Sequence, residues 1–278
     1  AKNRFNVRSN LDAQLAKGLK FSAGLGAVIT RNNYPYNYSK YIAQNLKNAV
    51  STIPVKWHDD DPYYAFNGEG SRNPVAMADP SASGYNKSDG NSFTADAALE
   101  YKLPWVEGLS LKANVAYTYD NVGGRIWYLD ECYIGYREDT DEYYNSKSVD
   151  YADKADLTVS SSTKTSFMFQ GFINYKNSFE NKHNINAGLV YELNDAKSNY
   201  FYTKRTAYPS TVTDRLYAGL SGSNLEDGED LRTYHSISFV ERFSYDYCSR
   251  YFIDINTRVD GAQYFAKKWG VFPSASIG

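Results

Sequence analysis

The chain begins with a regular alternation of apolar and polar residues. Phe5, Val7 and Leu11 lie at odd positions, and polar residues such as Arg4 and Asn6 lie at even ones. A period of two residues predicts an extended strand with one apolar face and one polar face. About nine such stretches recur along the chain, each of about ten residues, which is the length a tilted strand needs to cross a bilayer.

The links between these stretches alternate in length. Short links join the strands of four successive pairs, and Gly18 and Gly108 suit such turns because glycine accepts a left-handed backbone. Long links separate the pairs, at about residues 31–92, 120–164 and 194–232. Short turns at one rim and long loops at the other are typical of a membrane barrel. We therefore expect an all-β fold, an antiparallel transmembrane β-barrel segment of about nine strands, with long extracellular loops and tight periplasmic turns.

Composition alone does not indicate this fold. Hydrophobic residues make up 42% of the 278 residues and the mean hydropathy is -0.59. A barrel places its apolar side chains at alternate positions, so it contains no long apolar run. The 27 tyrosines suit both membrane-interface girdles and ligand-contacting loops. A net charge of -2 argues against the basic stripe of a nucleic-acid-binding protein.

The pattern predicts that the chain is one part of a larger barrel. No basic, apolar and small-residue signal precedes the first strand, and the last alternating stretch stops at Gly278. An open sheet leaves two unpaired edges, which are costly in lipid. We expect residues 1–278 to form a partial barrel domain, with further strands of the barrel outside the chain. Cys132 and Cys248 are predicted at opposite rims, so we expect no disulfide between them.

Several segments carry a more specific signal: residues 4–12, 73–76, 103–114, 245–254, 258–261 and 269–278, the last of which reads WGVFPSASIG. Together they closely resemble the SusC/RagA family of TonB-dependent outer-membrane transporters from Bacteroidetes. This resemblance implies a plugged barrel of about 22 strands, in which residues 1–278 are a central segment without the plug domain and the closing C-terminal strands. It also implies a SusD-like surface lipoprotein as partner and the TonB complex as the energy source, acting through the plug. The implied activity is uptake of oligosaccharides or peptides across the outer membrane of a Gram-negative cell.

The chain carries no sequence motif for catalysis. It contains no HExxH motif, no Walker loop and no paired-cysteine zinc motif, and its three histidines are scattered. The acidic runs at residues 58–61 and 226–230 lack the alternation of a calcium-binding loop, and we interpret them as solvated loop tips. We therefore expect no enzyme activity, no cofactor and no metal site.

Aromatic residues in the predicted long loops are the candidates for substrate binding. Rigid aromatic rings stack on sugar rings or on apolar peptide side chains at a small entropic cost. Alternatively, the same rings can pack the loops into a compact cap. Trp57 and Trp127 are the first choices, and Tyr200, Phe201 and Tyr202 are further loop aromatics. The full set of candidates is Trp57, Tyr63, Tyr64, Trp127, Tyr128, Tyr133 and Tyr136.

Charged residues of the predicted strands have two expected roles. Those at even positions should line the lumen and pair with one another. Glu241 instead shares the apolar face of Phe239 and Phe243, and a tight turn at residues 248–250 places it opposite Thr257. We expect the Thr257 hydroxyl to satisfy this carboxylate in a structural pair.

Two other classes of protein fit part of this pattern. One is a passive porin-like channel, which has the same strands and no plug. The other is a soluble all-β carbohydrate-binding protein, in which the apolar face packs inward against a second layer. In a membrane barrel the same face points outward and carries aromatic residues at its edges.

Overall fold

The computed structural model describes residues 1–37, 39–66, 72–147, 155–264 and 266–278. Two short 3-10 turns lie at Leu216–Ala218 and Gly222–Asn224. The helices within these residues are α1 (Ser39–Asn48), α2 (Pro74–Ala78) and α3 (Pro80–Ser83). The strands are β1 (Lys2–Ala16), β2 (Leu19–Pro35), β3 (Tyr64–Ala65), β4 (Gly84–Lys102), β5 (Leu109–Tyr128), β6 (Cys132–Arg137), β7 (Glu142–Lys147), β8 (Asp156–Phe179), β9 (His183–Arg205), β10 (Leu225–Tyr247), β11 (Tyr251–Ala262) and β12 (Trp269–Ile277).

The main sheet is an antiparallel meander. Within the described residues it has nine strands, in the order β1, β2, β4, β5, β8, β9, β10, β11 and β12. Each strand therefore pairs with its neighbours in the chain, apart from the short strands of the links. A second sheet of three strands joins β3, β6 and β7. The predicted all-β fold and the nine antiparallel strands are confirmed.

The strands extend well beyond the predicted ones. β8 has 24 residues, and β9 and β10 have 23 each. The long links are therefore residues 36–83, 129–155 and 206–224, so the ranges expected from the sequence were too wide at both ends. Beyond the apolar stretch, both faces of the strands carry polar or mixed residues. The backbones still pair there, but the alternation of apolar and polar residues, which is the sequence signal for a strand, has stopped.

One face of the sheet carries a continuous apolar belt. Side chains of paired residues project to the same side, so the pairing register assigns each residue to a face. In β5 the belt runs from Leu111 to Tyr119, which is eight residue steps or roughly 26 Å along the strand, and ends at the polar Asn121. Its large exposed members are Phe5, Val7, Leu11, Leu25, Ile29, Phe93, Leu99, Leu111, Val115, Phe167, Ile173, Leu189, Phe239, Ile255 and Val271.

The opposite face is mostly polar, and several of its polar groups contact one another. Lys20 Nζ lies 3.3 Å from Asp12 Oδ1. Further along the sheet, Gln170 Nε2 donates to Glu192 Oε2 at 2.6 Å. These contacts agree with the prediction of mutually paired groups on the lumen side. We refer to the two sides of the main sheet as the apolar belt and the polar face.

Glu241 is a carboxylate that lies within the apolar belt, as predicted. It pairs in register with Thr257 on β11 and with Leu189 on β9. The predicted register is therefore confirmed, and the two side chains share a face. The hydrogen bond between them stays a prediction.

The turns that join β1 to β2, β4 to β5, β8 to β9 and β10 to β11 lie at one end of the sheet. Gly18 and Gly108 have positive φ values of 81° and 86°, as expected for tight turns. Each also contacts the next hairpin, since Lys102 N donates to Gly18 O at 2.8 Å and Lys176 N donates to Gly108 O at 2.9 Å. None of the helices in the described part of the chain has the length and apolar character needed to span a bilayer.

We expect Gly108→Ala to lower the free energy of unfolding by about 2–3 kcal/mol. A Cβ at Gly108 would lie 2.1 Å from Lys176 O, so the alanine clashes with this carbonyl and disrupts the neighbouring hydrogen bond. It also strains the left-handed backbone at this position. Gly222→Ala is the matched control, because Gly222 has a φ of 77° and no atom within 4 Å of the added Cβ. The control should cost about 1 kcal/mol. Denaturant unfolding in detergent measures both, and equal losses would contradict the packing of this turn.

Candidate ligand-binding cap

The first two long links fold together at the end of the sheet opposite the short turns. Within residues 36–83 and 129–155, strand β3 pairs in parallel with β6, and β6 pairs antiparallel with β7. These pairings join the two links through backbone hydrogen bonds. We call the described residues of these two links the cap.

Four aromatic side chains meet on one side of the cap. Trp57 is held in place because its Nε1 donates to Ile134 O at 2.7 Å. Its ring centroid lies 5.6 Å from that of Tyr136 and 5.8 Å from that of Tyr143. The centroids of Tyr136 and Tyr143 are 5.1 Å apart, and those of His58 and Tyr143 are 5.2 Å apart. We call Trp57, His58, Tyr136 and Tyr143 the aromatic face.

The aromatic face is partly open to solvent. Tyr143 is 49% exposed and the His58 side chain is 56% exposed, whereas Trp57 and Tyr136 are half-buried. Trp57 and Tyr136 were predicted as ligand-contacting residues, and the structure brings them together. Tyr143 was missed, although it lies directly across the β6 and β7 hairpin from Tyr136. Recognising residues 132–147 as a hairpin would have placed Tyr143 opposite Tyr136.

The remaining candidates on the first link have different surroundings. Tyr63 is exposed and directly precedes β3. Tyr64 donates its hydroxyl proton to Asp79 Oδ2 at 2.6 Å, and this hydrogen bond, with burial, raises the pKa of Tyr64 to about 12. Burial acts to raise the pKa of Asp79, but hydrogen bonds from Tyr64 and Ser81 outweigh it and lower that pKa. Tyr64 thus connects β3 to the start of α3.

A buried charge network connects the two links of the cap. Glu131 is 1% exposed, and it accepts hydrogen bonds from Arg72 Nε and Nη2, both at 3.1 Å. Asn37 Nδ2 donates to Glu131 Oε1 at 3.0 Å, and the Tyr133 hydroxyl donates to Glu131 Oε2. Tyr133 is itself 1% exposed, and burial together with Glu131 raises its pKa. In this structure Tyr133 packs the cap and presents no ring to a ligand.

Trp127 and Tyr128 belong to the end of β5, so they lie in a strand and not in a loop as predicted. Trp127 is 4% exposed and packs edge-on against Tyr208 at a centroid distance of 4.8 Å. By its register with Leu157 it projects to the side of the apolar belt, where the third link, residues 206–224, covers it. Tyr128 packs on Tyr36 at 4.7 Å. Trp127 therefore has a packing role, as in the alternative interpretation of the aromatic residues given above.

The other predicted loop features also have local partners. Residues 200–202 lie within β9, and the Tyr202 hydroxyl donates to Glu226 Oε1 at 3.1 Å. In the acidic run, Asp61 Oδ2 accepts the His58 backbone N–H at 2.8 Å. The described residues contain no group of three or more His, Cys, Asp or Glu side chains arranged to hold a metal ion. Cys132 begins β6 in the cap, while Cys248 lies in the turn at the far end of the sheet.

The architecture of the main sheet identifies the class of protein. An antiparallel meander with an exposed apolar belt on one face and paired polar groups on the other is the form of a transmembrane barrel wall. Short turns at one end and a folded cap at the other complete this form.

Solved structures with the same fold belong to the RagAB peptide importer. Its open-open state matches with a TM-score of 0.74 and 18% identity, covering 99% of this chain and 29% of that chain. Its closed-closed state matches with a TM-score of 0.71, 18% identity and the same coverage. A third RagAB peptide transporter structure matches with a TM-score of 0.71 and 16% identity, over 99% of this chain and 30% of that one. The chain thus spans about three tenths of the length of these structures, and at this identity the likeness establishes the fold. No protein-family model and no curated protein matches the sequence.

Arg72→Gln should loosen the cap without disturbing the main sheet. It leaves the buried Glu131 carboxylate without its cation, a change that costs about 3–5 kcal/mol when a buried pair is broken. Hydrogen exchange of residues 129–137 should therefore accelerate, while β5 and β8 keep their protection.

Arg232→Gln is the matched control for this variant. Arg232 Nε lies 2.7 Å from Asp230, but the two side chains are 76% and 48% exposed. An exposed pair contributes about 0–1 kcal/mol, so exchange should change little. Equal acceleration in both variants would contradict the role assigned to the buried network.

Proposed function

We propose that the chain forms part of the barrel wall of a SusC/RagA-type, TonB-dependent importer in the outer membrane of a Gram-negative cell. The observation that carries this proposal is the apolar belt, which continues across the nine strands of the main sheet. Belt side chains such as Phe5 and Val7 are 63% and 71% exposed, as lipid-facing residues must be. The polar face then lines the interior of the barrel.

Two observations favour an importer over a passive channel. The segments at residues 245–254 and 269–278 resemble the SusC/RagA family, and the chain shares its fold with chains of the RagAB peptide importer. The exposure of the belt also disfavours a soluble carbohydrate-binding protein, whose apolar face would be covered by a second layer.

The proposed partners and substrate follow from the same comparison. The matched structures are of a peptide importer, so peptides are a better substrate than oligosaccharides. We assign the chain a SusD-like surface lipoprotein as partner, and a plug coupled to the TonB complex as the source of energy. The cap lies on the outer side of the membrane, where its aromatic face contacts the substrate before uptake.

In this proposal the barrel wall is rigid and the plug is the part that moves. Continuous pairing from β1 to β12 makes the wall stiff, because its backbone hydrogen bonds are made between neighbouring strands. Contacts such as those of Lys20 with Asp12 and of Gln170 with Glu192 satisfy part of the polar face beside a plug or a water-filled path. Movement is therefore assigned to the plug, and the function is transport and not catalysis.

Peptide uptake by intact cells tests this proposal. Cells producing the protein should accumulate an isotope-labelled peptide digest, and cells lacking it should not. A protonophore should abolish the difference, because TonB-driven transport depends on the proton gradient, and the protein should remain in the outer-membrane fraction.

Two results would contradict the proposal. Uptake that persists with the protonophore would identify a passive channel. Recovery of the protein in the soluble fraction, free of detergent, would identify a soluble binding protein.

A further inference from the structure

The aromatic face of the cap is bordered by exposed acidic side chains. Tyr136 donates its hydroxyl proton to Asp141 Oδ1 at 2.7 Å, which places a carboxylate at the edge of the rings. The nearby carboxylates come from two segments, the run after His58 and the turn between β6 and β7. They are Asp59, Asp60, Glu138, Asp139 and Asp141, and all are exposed. Glu142 pairs in register with Arg137 and therefore projects to the other side of the hairpin.

The cations of this region already have partners elsewhere. Lys56 Nζ donates to Asp61 O at 2.8 Å and lies 5.4 Å from the ring centre of Tyr64. The Arg137 guanidinium lies 4.7 Å from the ring centre of Tyr144, on the other side of the hairpin. Tyr64 and Tyr144 thus each hold a cation over the ring. Among the described residues, no Lys or Arg lies over Tyr136 or Tyr143.

Aromatic rings bordered by carboxylates prefer cationic ligands to anionic ones. A ring face attracts a cation, and the attraction increases as water is displaced. The acidic border adds a negative potential that draws in cations and repels carboxylates. Because the indole N–H of Trp57 is bound to Ile134 O, the Trp57 ring is held in a fixed orientation beside the two tyrosines.

We propose that the aromatic face binds the lysine or arginine side chains of cationic peptides. This inference rests on the proposed function, which makes the substrate a peptide, and adds its charge class. The cation lies against Tyr143 and Trp57, with the carboxylates of Asp59, Asp60 and Asp141 around it. Anionic peptides of the same length are excluded by charge.

Binding of two matched peptides to the detergent-solubilised protein tests this inference. The peptides have equal length and differ only in carrying lysine or glutamate at the same positions, each with one fluorescent label. Fluorescence anisotropy should give an affinity at least about tenfold higher for the lysine peptide, and the preference should shrink as added salt screens the border.

Variants then locate the site on the aromatic face. Tyr143→Leu should weaken binding of the lysine peptide about tenfold, whereas Tyr143→Phe, which keeps the ring, should stay within about twofold of the parent. The double variant D59N/D60N should reduce both the lysine preference and its salt dependence. Tyr217→Leu is the matched control, because Tyr217 is an exposed tyrosine on the third link, outside the cap, and should have no effect.

The outcomes separate this inference from the proposed function. Equal affinity for the two peptides, or unchanged binding in Tyr143→Leu, overturns the cationic site even if energy-dependent peptide uptake is found. Conversely, a lysine preference lost in Tyr143→Leu supports the site even if uptake proves independent of the proton gradient.

Discussion

Antiparallel pairing between successive strands is the constraint on which the rest of this molecule depends. Because side chains alternate with a period of two, the register decides which residues form the apolar belt and which form the polar face. A slip of one residue between β5 and β8 would move Phe167 and Ile173 to the polar side and Lys164 and Gln170 to the apolar one. The tight turns at Gly18 and Gly108 prevent such slips, since each also hydrogen-bonds to the following hairpin.

The cap depends on a different interaction. The helices and strands in its described residues are short, so a few strong contacts hold the cap together: the β3 to β6 pairing, the Trp57 hydrogen bond and the network around Glu131. A buried carboxylate is costly unless it is paired, and here Arg72, Asn37 and Tyr133 all contribute. The network therefore brings segments distant in sequence together, and the same fold exposes the aromatic face. Tyr133 thus packs the interior of the cap, whereas Trp57 and Tyr136 lie on the aromatic face.

The strands could be predicted from sequence because their signal is local. Alternation over the belt located all nine strands of the main sheet, the glycine turns and the pairing of Glu241 with Thr257. The strand ends could not be placed, because above the belt the pairing continues through residues of mixed polarity. The cap could be predicted only in part. Trp57 and Tyr136 belong to the aromatic face, but the burial of Trp127 depends on Tyr208, about eighty residues away, a contact that no local pattern encodes.

The belt's contact with lipid is tested most directly by a labelling scan of β5. Single cysteines at positions 111 to 119, introduced after replacing Cys132 and Cys248 by serine, carry spin labels in protein reconstituted into lipid vesicles. Collision with oxygen, which concentrates in lipid, should be frequent at odd positions such as Val115. Collision with a water-soluble nickel chelate should be frequent at even positions such as Ala116. Odd positions shielded from both reagents would show a packed core and contradict a membrane-facing wall.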